Sequence, residues 1–586
     1  MAVTKTNFIN YIRCPRFVAL DKVHKDKLEA DISLSEYLEE EYLNNLLSTM
    51  HDGDEDLIDV TNEQLETMMP YYLKVEKLAG ELVNKKLEGI PKYSDNTYYQ
   101  ERFDTNINGI KYLCYVDIYN DRDNSFDIIE VKATTISKFL KLITKDEKGI
   151  YRLLDEIDFE VDKQYFNQKS KLYDRLSDIG RYVYDLAIQR YIIENDLKDK
   201  LPENVRYYLA VLNSEYVYDG KSEYEVDSNG NEIICLIDLT KVTEDLMDKI
   251  EIDRKKIEEY IFKCDITPYK LGKHCEHKKT TKCKFCITCF SHIPEYNSIF
   301  SYIDGHFGFK DKNGNKYERF DLVNDGMISM LDVPTNYLNR RKNQIQKSVV
   351  ETNKTYINKE KIEKGLEFIK YPIYHLDFET FPCPLPRHRG EKPYSQSVFQ
   401  FSLHIEEKPG LCDKNKDHYE FLAPDLKDYR EEIIKKLIEY IKNAGTVLVY
   451  SENFEKSRLK ELGEIFPKYK KGLEKISNRI FDLLFLIKSN TKFYEELGFN
   501  DEEAKLFNYY HKDLNGSFSI KNVLPVFSKL TYENMEVANG MEALSTFASF
   551  NDLDEETYKK KYKALIEYCK QDTWAMVEIL RGLRNL

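Results

Sequence analysis

Apolar and polar residues alternate from Ile373 to Phe381, reading Ile-Tyr-His-Leu-Asp-Phe-Glu-Thr-Phe after Pro372 and with no internal glycine. The pattern predicts a short buried strand on which Asp377 and Glu379 share a face. Two carboxylates side by side in a buried strand repel each other and lose hydration, which a divalent cation relieves; a solvated strand end is the plain alternative. Val447–Tyr450 predicts a second strand, followed by Ser-Glu-Asn-Phe-Glu and a helical stretch carrying Leu459 and Leu462, so Glu455 falls near a strand-to-helix junction. From Leu565 through Val577 and Leu580 the apolar spacing is helical, and Tyr568 and Asp572 lie on one face of that helix.

The N-terminal half opens with a helical pattern over residues 4–20, interrupted where Cys14 precedes Pro15, and continues as acidic, leucine- and tyrosine-rich helix to about Leu87. Gly89 and Pro91 mark a change to turns. Tyr112–Tyr119 and Phe126–Lys132 predict two strands joined by the polar turn Asn120–Ser125. Glu130 and Lys132 share a strand face and the hairpin can bring Asp117 beside them; an exposed hairpin with a cross-strand ion pair fits equally. A later helical stretch, Tyr184–Tyr191, carries Gln189. Residues 291–370 carry no recognisable chemistry; Arg340-Arg341-Lys342 and the Lys-rich run through Lys370 read as a solvated helix face, with tracking of a phosphate backbone as the alternative.

The 586 residues are 42% hydrophobic, enough for more than one core. A net charge of −15 gives no support to nucleic-acid binding through overall charge, and does not oppose phosphate binding in local basic grooves, since clustered carboxylates raise the acid count. No apolar run approaches bilayer-spanning length and the N-terminal residues lack a signal-peptide core, so the expected location is the cytoplasm, away from membranes. Eleven cysteines there argue against a disulfide framework. Five of them, Cys264, Cys275, Cys283, Cys286 and Cys289, crowd one segment.

An Asp-x-Glu strand, an Asn-Phe-acid context in mid-domain and a closing Tyr-x-x-x-Asp helix resemble the three motifs of the DEDD exonucleases, in their tyrosine-bearing subclass. The resemblance implies an RNase H-like fold, 3′-end trimming with two metal ions held by Asp377, Glu379, Glu455 and Asp572, and Tyr568 orienting the attacking water. Glu455 departs from the aspartate most members carry. Asp117 with Glu130-x-Lys132 resembles the PD-(D/E)XK signature, which implies metal held by the two acids and a lysine that orients water or stabilises phosphate charge. The Gln189 segment resembles the glutamine-bearing helix of the RecB-like branch, with a surface glutamine on an amphipathic helix fitting equally; no histidine follows Gly80, where such enzymes often carry one. Cys14 upstream with Cys275, Cys283 and Cys289 resembles the iron-sulfur RecB/AddB-like version, which implies a [4Fe-4S] cluster stapling the two ends of the domain. Cys286 is the rival ligand, and a Zn²⁺ site using His274 or His277 is the competing reading. Cys114, Cys235, Cys264, Cys383, Cys412 and Cys569 are expected to be ordinary.

Tyr394–Ser402 and Gly516–Pro525 resemble a bacterial family of uncharacterised proteins that joins these two modules. Ser517 and Lys521 are candidate substrate contacts, with Ser519 capping a helix as the alternative. The expected architecture is α/β: a PD-(D/E)XK restriction-endonuclease-like domain over 1–290, a helical connector over 291–370, and an RNase H-like mixed-sheet exonuclease domain over 371–586. The expected function is a nuclease using Mg²⁺ or Mn²⁺ on single-stranded or duplex DNA ends. An RNA 3′ exonuclease with a binding-only first domain, or a non-catalytic end-binding scaffold, are the alternatives. There is no phosphate-cradling Gly-x-x-x-x-Gly-Lys-[Ser/Thr] loop, so unwinding would come from a separate helicase or a defence or repair partner.

Overall fold

The computed structural model describes residues 2–31, 62–94, 96, 99–157, 159–277, 281–304 and 308–586. The chain divides into two compact units, Met1–Cys289 with Cys383–Ser395, and Phe290–Pro382 with Gln396–Leu586. Both are mixed α/β, and no helix among the described residues is long and apolar enough to cross a membrane.

The first unit is built on a seven-stranded sheet in the order Ile90–Tyr93, Ile118–Arg122, Ser125–Thr135, Arg206–Leu212, Ile234–Asp238, Tyr151–Leu153, Ile143–Lys145. A three-stranded sheet orders Ala2–Thr4, Ile110–Val116 and Glu101–Ile107. Tyr112–Tyr119, expected as one strand, is two, because the chain leaves the small sheet at Val116 and joins the large one at Ile118. Asp117 occupies the joint, where its carboxylate accepts the Val131 N–H at 2.8 Å. Ser125–Thr135 is buried on both faces, as a central strand between covering layers requires. The helix Gly180–Leu197 packs one layer with Phe8 and Tyr112; Val75, Ala79, Leu82 and Val83 of the helix Asn62–Lys86 pack the other.

The second unit has a five-stranded sheet in the order His418–Leu422, Gln396–Glu406, Ile373–Pro382, Thr446–Val449, Ile480–Asp482. The first three strands pair antiparallel and the last two join in parallel. Its closing helix, Glu555–Arg584, begins at an Asp554 cap that accepts the Glu556 and Thr557 N–H groups. Thr573 fixes the rotation of that helix, its hydroxyl lying 2.8 Å from both Ser402 Oγ and His404 Nδ1.

Residues 291–370, expected as a connector, group with this second unit. The strand Tyr356–Ile357 pairs with Tyr509–Tyr510, and Gln346 donates to Tyr510 and to the Ser301 carbonyl. Arg340-Arg341-Lys342 is only partly a solvated face: Arg340 donates to the Asp304 carbonyl at 2.8 Å and the Lys342 ammonium lies over the Phe507 ring.

Candidate active sites

In the second unit, residues far apart in the chain meet at the middle of the strand Ile373–Pro382. Carboxylate oxygens of Asp377 and Glu379 and the sulfur of Cys569 all lie within 4.8 Å of one another. The Cys569 thiol, expected to be ordinary, donates to Asp377 Oδ2 at 3.6 Å, and burial, then Asp377, keeps it protonated. Tyr568 and Asp572 stand on the same helix, one turn apart and both buried.

Glu455 enters from the first turn of the helix Glu452–Ile465. Asp482 holds that turn by accepting the Ser451 and Glu452 N–H groups, each at 3.1 Å, while Ser451 takes a positive φ of 84°. Such a φ on serine is sterically unfavourable and is sustained here by the cap. Glu455 lies within electrostatic reach of Asp377, and its buried Oε2 has no hydrogen-bond partner among the described residues.

Removal from water pushes all four carboxylates up. Burial dominates for Asp377 and Glu379, with repulsion among Asp377, Glu379 and Asp572 adding to it. Burial, then Asp377, raises Glu455. Asp572 rises only to about 6, because burial is opposed by hydrogen bonds from Tyr532 and Tyr568 and by the Lys521 charge. Buried carboxylates that raise one another in this way are the donor type that a hard divalent cation prefers.

Tyr532 was not anticipated from sequence. It lies in an irregular segment without periodicity, and its hydroxyl donates to Asp572 Oδ1 at 2.6 Å. Lys521, one of the two candidate contacts, lies over the Tyr532 ring at 5.7 Å and acts on Glu379 and Asp572. Ser517 instead accepts the Ser519 N–H at 3.2 Å, and Ser519 stands at the start of the helix Ile520–Phe527.

The first unit gathers its own acid and lysine set. Glu130 is fully buried: Oε1 lies 2.7 Å from Lys132 Nζ and 2.5 Å from Lys5 Nζ, and Oε2 accepts from Gln189 Nε2 at 2.6 Å. Burial alone would raise Glu130, but Lys132 and Lys5 hold it down to about 2. Asp117 is pushed up to about 7 by burial and then by Glu130, against the opposing pull of Lys5, Lys132 and the Val131 N–H. Lys132 is also paired with Asp185 at 3.0 Å. The helix Asn62–Lys86 contributes Glu76, which burial, then Asp117 and Glu130, pushes well up. Glu76 was not anticipated from sequence. Its signal was an acid among the apolar positions Val75, Ala79 and Val83. The donor set fits a hard cation on Asp117 and Glu130, with Glu76 beside them.

Cys14, Cys275, Cys283, Cys286 and Cys289 line one concavity together with Arg13, Arg16 and His274. Cys14, Cys275, Cys283 and Cys289 act on one another electrostatically. Burial raises Cys14 and Cys275 to about 11. A hydrogen bond from Cys286 is the main cause that lowers Cys283 to about 6. Cys286 Sγ turns to the Cys275 carbonyl at 3.0 Å, whereas Arg16 donates to Cys289 Sγ at 3.4 Å. Four thiols facing one cavity beside two guanidinium groups fit a thiolate-held, negatively charged group. The side chain of His277 lies outside the described residues.

Residues 374–519 match a domain of unknown function, DUF2779. That span includes Asp377, Glu379 and Glu455 and ends before Tyr532, Tyr568 and Asp572. The chain is 23% identical over 583 residues to the uncharacterized protein UU173 of Ureaplasma parvum serovar 3, covering 87% of this chain and 80% of that protein. It is 27% identical over 228 residues to the uncharacterized protein MG366 homolog of Mycoplasma pneumoniae, covering 36% of this chain and 32% of that protein. These matches support an uncharacterised bacterial family. No solved structure matches.

Proposed function

We propose that this protein is a metal-dependent nuclease with two active sites that processes DNA ends, the second site removing nucleotides from 3′ ends. The observation that carries the reading is the convergence of Asp377, Glu379, Glu455 and Asp572, all buried or nearly so, with Tyr568 and Tyr532 against Asp572. A sheet of three antiparallel strands continued by two parallel ones supports an RNase H-like domain. Glu130 and Lys132 on one central strand, with Asp117 at the neighbouring joint, support a PD-(D/E)XK domain.

At the second site, Asp377, Glu379, Glu455 and Asp572 would hold Mg²⁺ or Mn²⁺, which when bound stabilises charge on the entering and leaving oxygens of a phosphodiester. Tyr568 keeps its phenolic proton because burial and Asp572 raise it, and it orients the attacking water. Tyr532 fixes the rotamer of Asp572, and Lys521 offers a cation to the phosphate. At the first site Asp117 and Glu130 would hold the metal and Lys132, kept charged by Glu130 and Asp185, positions water or phosphate. Cys14, Cys275, Cys283 and Cys289 would hold a [4Fe-4S] cluster that joins residue 14 to the end of the unit.

The test uses anaerobically purified protein with Mn²⁺ and single- or double-stranded DNA and RNA labelled at either end. The expected result is 3′ shortening of DNA lost only in Asp377→Ala, and a second cleavage lost only in Lys132→Ala. Cleavage that survives both substitutions would overturn the site assignments, RNA-only trimming would redirect the substrate, and no metal-dependent cleavage would leave an end-binding scaffold.

A further inference from the structure

The first site holds more positive charge than its acid-x-lysine pair requires. Lys5, the first residue of the helix Lys5–Tyr11, places Nζ 2.5 Å from Glu130 Oε1, the same oxygen that Lys132 Nζ reaches at 2.7 Å. With Gln189 on Oε2 at 2.6 Å, both oxygens of Glu130 are taken by protein donors. Oε1 already accepts two ammonium groups, so a hard cation that takes that oxygen displaces one of them.

The three donors are not equally held. Gln189 is fully buried and rooted in a core helix. Lys132 is 4% exposed and is paired a second time with Asp185 at 3.0 Å. The Lys5 side chain is 21% exposed, and among the described residues its one ion pair within 4 Å is with Glu130, while Asp117 and Asp185 act on it from farther away. Its backbone is nevertheless anchored, since Ala2–Thr4 pairs in parallel with Lys111–Leu113 on the strand that leads to Asp117. The side chain can therefore swing while its base stays at the rim of the site.

We propose that Lys5 is the exchangeable cation of the first site: it occupies Glu130 in the metal-free protein, gives way when a divalent ion binds Asp117 and Glu130, and then contacts the phosphate of the bound strand. This rests on the nuclease reading of that site. An ammonium and a divalent ion compete for one oxygen, so removing the ammonium strengthens metal binding, whereas a tether that merely shapes the site would weaken it when lost. The same removal deprives the phosphate of a cation and slows cleavage at saturating metal.

The test uses full-length, cluster-loaded protein carrying Asp377→Ala to silence the second site, with Mn²⁺ binding followed by calorimetry and electron paramagnetic resonance. Cleavage of end-labelled DNA is measured at saturating Mn²⁺. Glu130→Gln is expected to abolish this Mn²⁺ binding. Lys5→Met is expected to tighten Mn²⁺ about tenfold, the order of one charge-assisted hydrogen bond, and to slow saturated cleavage by at least about tenfold. Lys5→Arg, which keeps charge and bulk, should restore part of the cleavage without tightening the metal. Equal or weaker Mn²⁺ binding in Lys5→Met, or unimpaired saturated cleavage, overturns the proposal while leaving the nuclease reading intact. No Glu130-dependent Mn²⁺ binding in the parent protein overturns both.

Discussion

Replacing Asp572 by asparagine is expected to stabilise the metal-free protein while abolishing 3′ trimming. Asp572 is buried, and its carboxyl is raised from 3.8 to about 6, with burial as the chief cause. At about 1.4 kcal/mol per pH unit, the ionised form therefore destabilises the folded state by about 3 kcal/mol above pH 6. Asparagine removes that charge and keeps an oxygen for the Tyr532 hydroxyl, but it leaves Tyr568 short of an acceptor, which costs about 1–2 kcal/mol. The net expectation at pH 7.5 is a gain of about 1–2 kcal/mol, or about 2–5 °C in the melting of this unit.

The pH dependence has a defined sign. A carboxyl raised in the folded state contributes stability below its unfolded value near 4 and loses it as pH rises through about 6, so the gap between variant and wild type should be widest above pH 6, close near pH 5 and reverse toward pH 4. The chain's single tryptophan, Trp574, sits two residues away on the same helix, so its fluorescence reports the melting of this unit. Mn²⁺ at about 100 times its dissociation constant should stabilise wild type by about 2.7 kcal/mol and reverse the order of the two proteins. A variant that melts below wild type at pH 7.5 in metal-depleted buffer, a gap indifferent to pH, or equal Mn²⁺ stabilisation of both by Trp574 fluorescence would refute the reasoning.

Three further outcomes are expected. Cys14→Ala should lose the visible charge-transfer absorption and the complement of about four irons per chain, and Cys286→Ala should keep both; the reverse pattern would make Cys286 the ligand. Glu76→Gln should lower first-site cleavage of end-labelled DNA by about ten- to a hundredfold, as loss of a group supporting a metal site does, and leave 3′ trimming unchanged. Tyr532→Phe should slow trimming by about tenfold and move the acidic limb of its pH–rate profile upward, because Asp572 loses a donor to its charged form; an unmoved limb would show that Tyr532 only packs.

Much of both candidate sites was legible without coordinates, because residues close in sequence carry fixed directions. The period of a strand sets Asp377 beside Glu379 and Glu130 beside Lys132, and the period of a helix sets Tyr568 above Asp572. Glu455 was legible as the acid of a strand-to-helix junction. Its companion Asp482 was not, since it caps that helix from a strand about thirty residues later. The same limit hid Tyr532, which reaches Asp572 across 40 residues, and Lys5, which reaches Glu130 across 125. Cys569 looked ordinary because nothing in its surroundings shows that its helix packs against the strand of Asp377.

Sequence pattern alone settled the periodic elements and the side chains that share a face within them, because those directions follow from backbone geometry over a few residues. Tertiary structure alone decided that residues 291–370 join the second unit, that the strand before Glu130 breaks at Asp117, and that Glu76, Lys5 and Tyr532 enter the sites. Those outcomes depend on which distant surfaces bury each other and on which charges are then left facing one another away from water, and no local period encodes either.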